Sequence, residues 1–172
     1  MRELEQPEEQ FEEINKLKIQ GDGLQPIYNQ TCVEHTMINH AQDALITAME
    51  WQTSGNTFTR KLSSIRFAWH ILALHLDRIF AIEECDGYMT FVSERSPHQT
   101  EKILQLELEH DEFRDEMKSI SATLERLLPT DHNALQTVVQ RIKAMLQRFT
   151  NHSRHEIALI QAALNDDLGG SD

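Results

Sequence analysis

The sequence predicts an all-α protein, an up-down-up-down bundle of four helices, and three observations support that prediction. Apolar residues recur at alternating three- and four-residue spacing through four long segments, which is the pattern of a helix with one buried face. No stretch of useful length alternates as a strand does. Only six glycines and four prolines occur in 172 residues. Because the connections are short, successive helices are expected to be antiparallel neighbours.

The predicted helices cover residues 29–53, 59–84, 99–128 and 132–165. Gly55, Gly87 and Pro129 end the first three, and Thr130 and Asp131 are suitable N-caps for the fourth. Residues 88–98 are expected to be irregular. The sequence therefore divides into an acidic N-terminal arm (1–26), the bundle (27–165) and a polar C-terminal tail (166–172).

Composition and charge exclude several classes of protein. The formal net charge is −12, which argues against binding to nucleic acid or to an anionic membrane surface. No apolar run exceeds four residues (Ile79–Ile82 is one), so no spanning helix is expected. The acidic start, MRELEQPEEQ, does not resemble a secretion signal. With only two cysteines, Cys32 and Cys85, the composition favours a reducing, cytoplasmic location.

The interior-facing positions of the four helices, which we call the seams, contain a few ionisable side chains. The third seam, from Ile103 to Leu127, is polar only at His110. The seams as a whole place five ionisable residues in the predicted interior: His35, Glu83, His110, His152 and Glu156. A carboxylate at a core position is costly unless something neutralises it. These residues are therefore candidates for a functional site.

The five residues are also expected at one level of the bundle. His35 is near the start of the first helix and Glu83 near the end of the second, and antiparallel packing brings such ends together. His152 and Glu156 are four residues apart, so they project from one face of the fourth helix. Imidazole and carboxylate ligands suit iron, manganese or zinc better than calcium. The sequence therefore predicts a metal site.

This arrangement resembles the hemerythrin-like (HHE cation-binding) family, a four-helix bundle that holds a non-haem di-iron centre. The matching elements are Glu34-His35, Glu83 within AIEECDGY, Glu109-His110 and His152-x-x-x-Glu156. The resemblance implies three terminal ligands, His35, His110 and His152. It further implies bridging or chelating carboxylates at Glu83 and Glu156, iron as the cofactor, and a small diatomic molecule or a metal ion as the partner.

One departure from the family bears on the number of ions. Ile79 stands where the family has a second-helix histidine, four residues before Glu83, and Phe80 follows it. His75 is eight residues from Glu83, about 12 Å along a helix, and is not expected to replace the missing ligand. One ion, an asymmetric pair, or no metal all remain open.

Other residues and other functions compete with this interpretation. Glu107 or the two thiols could add a ligand, although a surface carboxylate and ordinary reduced cysteines are the simpler interpretation. Carboxylates flanking the seams are expected to face solvent; these are Glu34, Glu84 and Glu109. Off-seam histidines are expected at the surface; these are His40, His98, His132 and His155. The alternative function is a metal-free interaction or regulatory module. An enzyme is less favoured, and homodimer formation is left open.

Overall fold

The computed structural model describes residues 25–52, 57–85 and 88–169. Four long helices and one short one make up this part of the chain, and no strand occurs in it. In chain order the helices are α1 (Gln25–Glu50), α2 (Phe58–Cys85), α3 (Tyr88–Arg95), α4 (Thr100–Arg126) and α5 (His132–Gly169), with a 3-10 turn at Pro97–Gln99. The all-α prediction is confirmed.

Side-chain contacts show that neighbouring long helices run in opposite directions. Glu34 of α1 pairs with His75 of α2, while Lys61, near the start of α2, donates to the carbonyl of Trp51 just after α1. The first half of α2 contacts the end of α4, and the end of α2 contacts the first half of α4, so these two helices are antiparallel as well. In the same way, the second half of α4 contacts the first half of α5, and the first half of α4 contacts the second half of α5. The ends of the helices that carry the predicted site residues therefore meet.

The predicted seams form the core. Every seam position predicted on α2 and α5 is buried, and so is every one on α4. On α1 the seam is buried except at Gln42, which is half-buried. Along these helices, the 3-4 pattern alone identifies the interior face correctly, because side chains three and four residues apart share one side of a helix.

The helix boundaries differ from the prediction in three places. Helix α1 begins at Gln25, before Pro26; a proline in the first turn loses no intrahelical hydrogen bond, so it does not delay the helix. The stretch predicted to be irregular contains α3, whose Met89 and Val92 are buried. Helix α5 continues through Gly169, into the region assigned to the tail.

Packing explains the missed helix α3. Met89 and Val92 contribute to an apolar cluster with residues of α4 and α5, among them Ile103 and Ile160. Eight residues are too few to form a stable helix from local propensity alone. Residues 1–24, most of the predicted acidic arm, and residues 170–172 lie outside the described part of the chain.

The hydropathy of the described helices agrees with the sequence, which contains no long apolar run. Among the described helices, none combines the length and the apolar character needed to cross a bilayer.

Candidate metal centre

The candidate site is a polar layer between two apolar clusters. On α4, Ile103 and Leu106 belong to the cluster that also contains α3, and Phe113 belongs to the main core. His110 lies between these two stretches of α4. On α5, Phe149 and Ile157 bracket His152 and Glu156 in the same way. The layer is therefore closed off from water by apolar side chains on both sides along the helix axes.

Four of the five predicted residues bring ligand atoms to one point. Glu83, His110, His152 and Glu156 each place one such atom within 4.8 Å of the others, and all four side chains are buried. The Nε2 atoms of His110 and His152 are 2.9 Å apart. Oε1 of Glu156 lies 3.1 Å from Nε2 of His152 and 3.5 Å from Nε2 of His110. Oε2 of Glu83 lies 3.4 Å from Nε2 of His110.

These spacings suit a shared transition metal. Nitrogen and oxygen ligands bind such ions at roughly 2.0–2.2 Å, so two ligands meeting at a right angle are about 3 Å apart, and at a tetrahedral angle about 3.4 Å. The four distances above lie in or close to that range. Oε2 of Glu83 is also buried and accepts no hydrogen bond within the described residues. A buried carboxylate oxygen of this kind is well placed to bind a cation.

The outer nitrogens of both imidazoles are held by carboxylates. Nδ1 of His110 lies 2.9 Å from Oε1 of Glu84, and Nδ1 of His152 lies 2.7 Å from Oε2 of Glu109. A carboxylate only accepts hydrogen bonds, so each Nδ1 donates. In the neutral imidazoles the Nε2 atoms then carry lone pairs, and two lone pairs 2.9 Å apart require a cation between them, either a proton or a metal ion.

Burial and mutual repulsion perturb the charges in this layer. Burial, together with the charge of Glu156 and a hydrogen bond shared with it, raises the pKa of Glu83 well above its usual range. Burial alone would lower the pKa of His152, but hydrogen bonds and charge from Glu156 and Glu109 outweigh it and raise that pKa. Without a metal, therefore, these interactions favour the protonated forms of Glu83 and His152.

His35, the fifth predicted residue, reaches the same layer without joining the group of four. It is buried, with 7% of its surface exposed, and desolvation lowers its pKa. The charge of Glu156 raises that pKa and His152 lowers it, so its imidazole lies within electrostatic range of both side chains. A neutral imidazole at this position is suited to binding a cation next to the four-residue group.

Apolar side chains occupy the positions where the hemerythrin-like pattern would place more ligands. Ile79 and Phe80 are fully buried. The Phe80 ring stacks on His110 with centroids 4.3 Å apart, and the rings of Phe113 and Phe149 lie about it. On this side the site is bounded by an aromatic wall that offers no ligand atom.

The expectation that the flanking carboxylates face solvent is only partly right, because all three are half-buried and each contacts an imidazole. Glu84 and Glu109 bind the two site imidazoles, and Glu34 lies 2.7 Å from Nδ1 of His75. Each carboxylate is about 100° around its helix from a seam residue. A side chain at that angle points toward the neighbouring helix, and the carboxylate therefore reaches an imidazole on that helix. Recognising these pairs from the sequence would have required the packing order of the helices.

The remaining sequence expectations concern side chains outside the cluster. The four off-seam histidines are exposed, as predicted. Cys32 and Cys85 are free thiols, half-buried and exposed respectively. Within the described residues, neither belongs to the group of four side chains that could hold a metal ion. Glu107 is half-buried and also lies outside it.

Comparison with protein-family models, curated proteins and solved structures found no match to this chain. The function therefore has to be argued from the geometry of the His/Glu layer.

Proposed function

We propose that this protein is a hemerythrin-like, up-down-up-down helical bundle that binds one transition-metal ion, iron before manganese or zinc. The ligands would be Glu83, His110, His152 and Glu156, with His35 as a further imidazole at the same level. The function we infer is the binding or sensing of oxygen, nitric oxide or iron itself. The observation that carries the proposal is the 2.9 Å approach of two Nε2 atoms whose Nδ1 atoms are both held by carboxylates.

Charge balance supports a divalent ion. The two buried carboxylates, Glu83 and Glu156, together carry two negative charges when ionised, and each costs several kcal/mol to bury unpaired. A divalent cation neutralises both. Histidine and carboxylate ligands are typical of non-haem iron, and manganese and zinc accept the same set.

The apolar surroundings determine what could reach such an ion. When bound, iron would supply reversible coordination of a small diatomic molecule or a one-electron change. The protein's part is to exclude water: clusters of buried aliphatic and aromatic side chains lie on both sides of the layer. Small, weakly polar ligands cross such a shell more readily than charged substrates. This favours binding or sensing over hydrolytic catalysis.

A single ion is favoured over a pair because of Ile79 and Phe80. A second ion on the α2 side would need ligands where these two fully buried apolar side chains lie. The same observation favours a second candidate function, a metal-free interaction or regulatory module. In that protein a proton shared between His110 and His152 would take the place of the ion.

Metal analysis distinguishes the two candidates. The protein is purified without chelator, loaded anaerobically with ferrous iron, freed of excess metal and measured by elemental analysis. About one ion per chain is expected. A content below roughly a tenth of an ion per chain after loading, with the fold intact by circular dichroism, would overturn metal binding in favour of the metal-free module.

A further inference from the structure

Two carboxylates outside the ligand group contact its imidazoles from opposite sides. Glu84 is the last but one residue of α2 and accepts from Nδ1 of His110; Glu109, on α4, accepts from Nδ1 of His152. Their side chains are 30% and 26% exposed, whereas the imidazoles are 0% and 1% exposed. Each buried ring is therefore connected to the protein surface by one charge-assisted hydrogen bond.

The two carboxylates differ in how their charge is compensated. Arg114 donates to both oxygens of Glu84, from Nη1 at 2.8 Å and from Nη2 at 2.9 Å. Burial would raise the pKa of Glu84, but the hydrogen bonds from Arg114 and His110 keep it below its usual value. The Arg114 guanidinium therefore balances most of the charge of this carboxylate.

Glu109 has no such partner: in the described part of the chain, no lysine or arginine forms an ion pair with it. It instead lines two small cavities between α4 and α5, with volumes of about 300 and 210 Å³. The smaller cavity is also lined by His152 itself. Lys102 and Arg148 also line these cavities, but Arg148 pairs with Glu112 and Glu116 rather than with Glu109.

We infer that Glu84 and Glu109 are positioning residues, which hold His110 and His152 in the tautomer whose Nε2 faces the ion. Of these two carboxylates, Glu109 contributes the larger share of uncompensated negative charge near the ion. This inference rests on the proposed metal site, since it assigns the residues that orient its ligands. Carboxylates that accept from a ligand's outer nitrogen raise its basicity, and their loss typically weakens metal binding by about 10–100-fold.

The first experiment uses the metal-free protein, so its outcome is independent of whether metal binds. Nitrogen-15 NMR reports which ring nitrogens carry protons. We expect Nδ1–H at both His110 and His152, with one further proton shared by their facing Nε2 atoms. Glu109→Leu should release His152 into a mixture of tautomers, whereas Glu109→Gln, which still offers an acceptor oxygen, should not. Unchanged tautomers in Glu109→Leu would overturn the positioning role.

The second experiment measures Co²⁺ affinity by competition with a chelator. Glu109→Leu should bind Co²⁺ about 10–100-fold more weakly, and Glu109→Gln should fall between it and the natural protein. Glu112→Leu is the matched control, because Glu112 is on the same helix and pairs with Arg148 at the surface; its affinity should not change.

The difference in charge has its own test. The double variant Glu84→Gln/Arg114→Gln removes a carboxylate and its guanidinium together, so the net charge stays the same, and the amide that replaces the carboxylate keeps an acceptor oxygen. This double variant should bind Co²⁺ nearly as tightly as the natural protein does, and more tightly than Glu109→Gln. Equal losses in the two variants would contradict the larger share assigned to Glu109. If the natural protein bound neither Co²⁺ nor iron while the tautomers were as expected, the metal proposal would fail and the positioning of the rings would stand.

Discussion

His110 lies flat against Phe80, with ring centroids 4.3 Å apart and planes inclined by 21°, and this stacking aims its Nε2 at His152. The aromatic ring supports one face of the imidazole, and Glu84 fixes its outer nitrogen. A ligand held in both ways has little rotamer freedom left. The site is thus built as much by apolar packing as by its polar groups.

Removing either facing imidazole should abolish metal retention. His110→Ala and His152→Ala each delete one of the four converging ligands, so we expect iron content after loading to fall to background. His75→Ala is the control, because His75 is buried on α2 but pairs with Glu34 outside the group. Elemental analysis checks the result. Loss of metal in His75→Ala alone would show that the register assigned to α2 is wrong.

Placing a histidine where the hemerythrin-like pattern has one should increase the metal content. Ile79 is four residues before Glu83 on α2, so Ile79→His adds an imidazole on the same helix face as a ligand. We expect iron content to rise above one ion per chain, toward two. An unchanged content would mean that the apolar wall next to His110 does not border the ion.

Truncating Phe80 should destabilise the fold and leave a space beside His110. Phe80 is fully buried, and replacing such a phenylalanine by alanine typically lowers the free energy of unfolding by about 3–5 kcal/mol. Phe67→Ala is the matched control on the same helix, since Phe67 is 70% exposed; its effect should be within about 0.5 kcal/mol. Urea denaturation of the metal-free protein measures both. Similar effects would contradict the placement of Phe80 in the core.

Arg66 should contribute to stability by capping the end of α4. Its Nε donates to the carbonyl of Leu124 at 2.8 Å and its Nη2 to that of Leu127 at 2.7 Å. The last carbonyls of a helix lack intrahelical donors, and a hydrogen bond to a charged group contributes about 1.5–3 kcal/mol. Arg66→Ala should lower the free energy of unfolding by that amount in urea denaturation. Arg60→Ala, at an exposed position of the same helix, should change it little.

The metal-free protein should lose stability as pH rises. Because burial and Glu156 raise the pKa of Glu83 above its unfolded value of 4.5, the folded state binds a proton that the unfolded state releases. This contribution is fully present below pH 4.5 and is lost as pH rises through the folded pKa. Glu83→Gln, which stays neutral, should flatten the decline. Denaturation at a series of pH values tests this, and an equal slope in both proteins would refute it.

Adding metal should reverse that pH dependence, because the ion binds the ionised carboxylates and competes with protons. A ligand present at one hundred times its dissociation constant stabilises the folded state by about 2.7 kcal/mol. The gain should therefore be seen at neutral pH and fade as pH falls. His152→Ala should show no gain at any pH.

Helical periodicity is enough to predict the long helices and their buried faces. The spacing from Ile103 to Leu124 on α4, and from Leu135 to Ala163 on α5, identifies side chains that are all buried. The same pattern locates the polar positions His110, His152 and Glu156 in the interior. It does so because a seam residue is buried whatever its chemistry.

Helix α3 and the outer carboxylates could not be predicted from the pattern. Met89 and Val92 carry too short a signal to indicate a helix, and it is packing against α4 and α5 that stabilises it. Glu84 and Glu109 are off the seams, and periodicity alone assigns such residues to solvent. Their role depends on which imidazole the neighbouring helix presents, and that is a property of the assembled helices.

Local spacing along the chain is sufficient to establish that this protein is helical, which faces of its helices are buried, and that five ionisable residues lie among apolar ones. These properties follow from the chain alone because 3.6 residues complete each helical turn. The assembled bundle adds that four of those residues converge, that carboxylates from neighbouring helices fix two imidazoles, and that Phe80 closes one side. The added properties depend on the packing and relative register of different helices, which no single helix encodes.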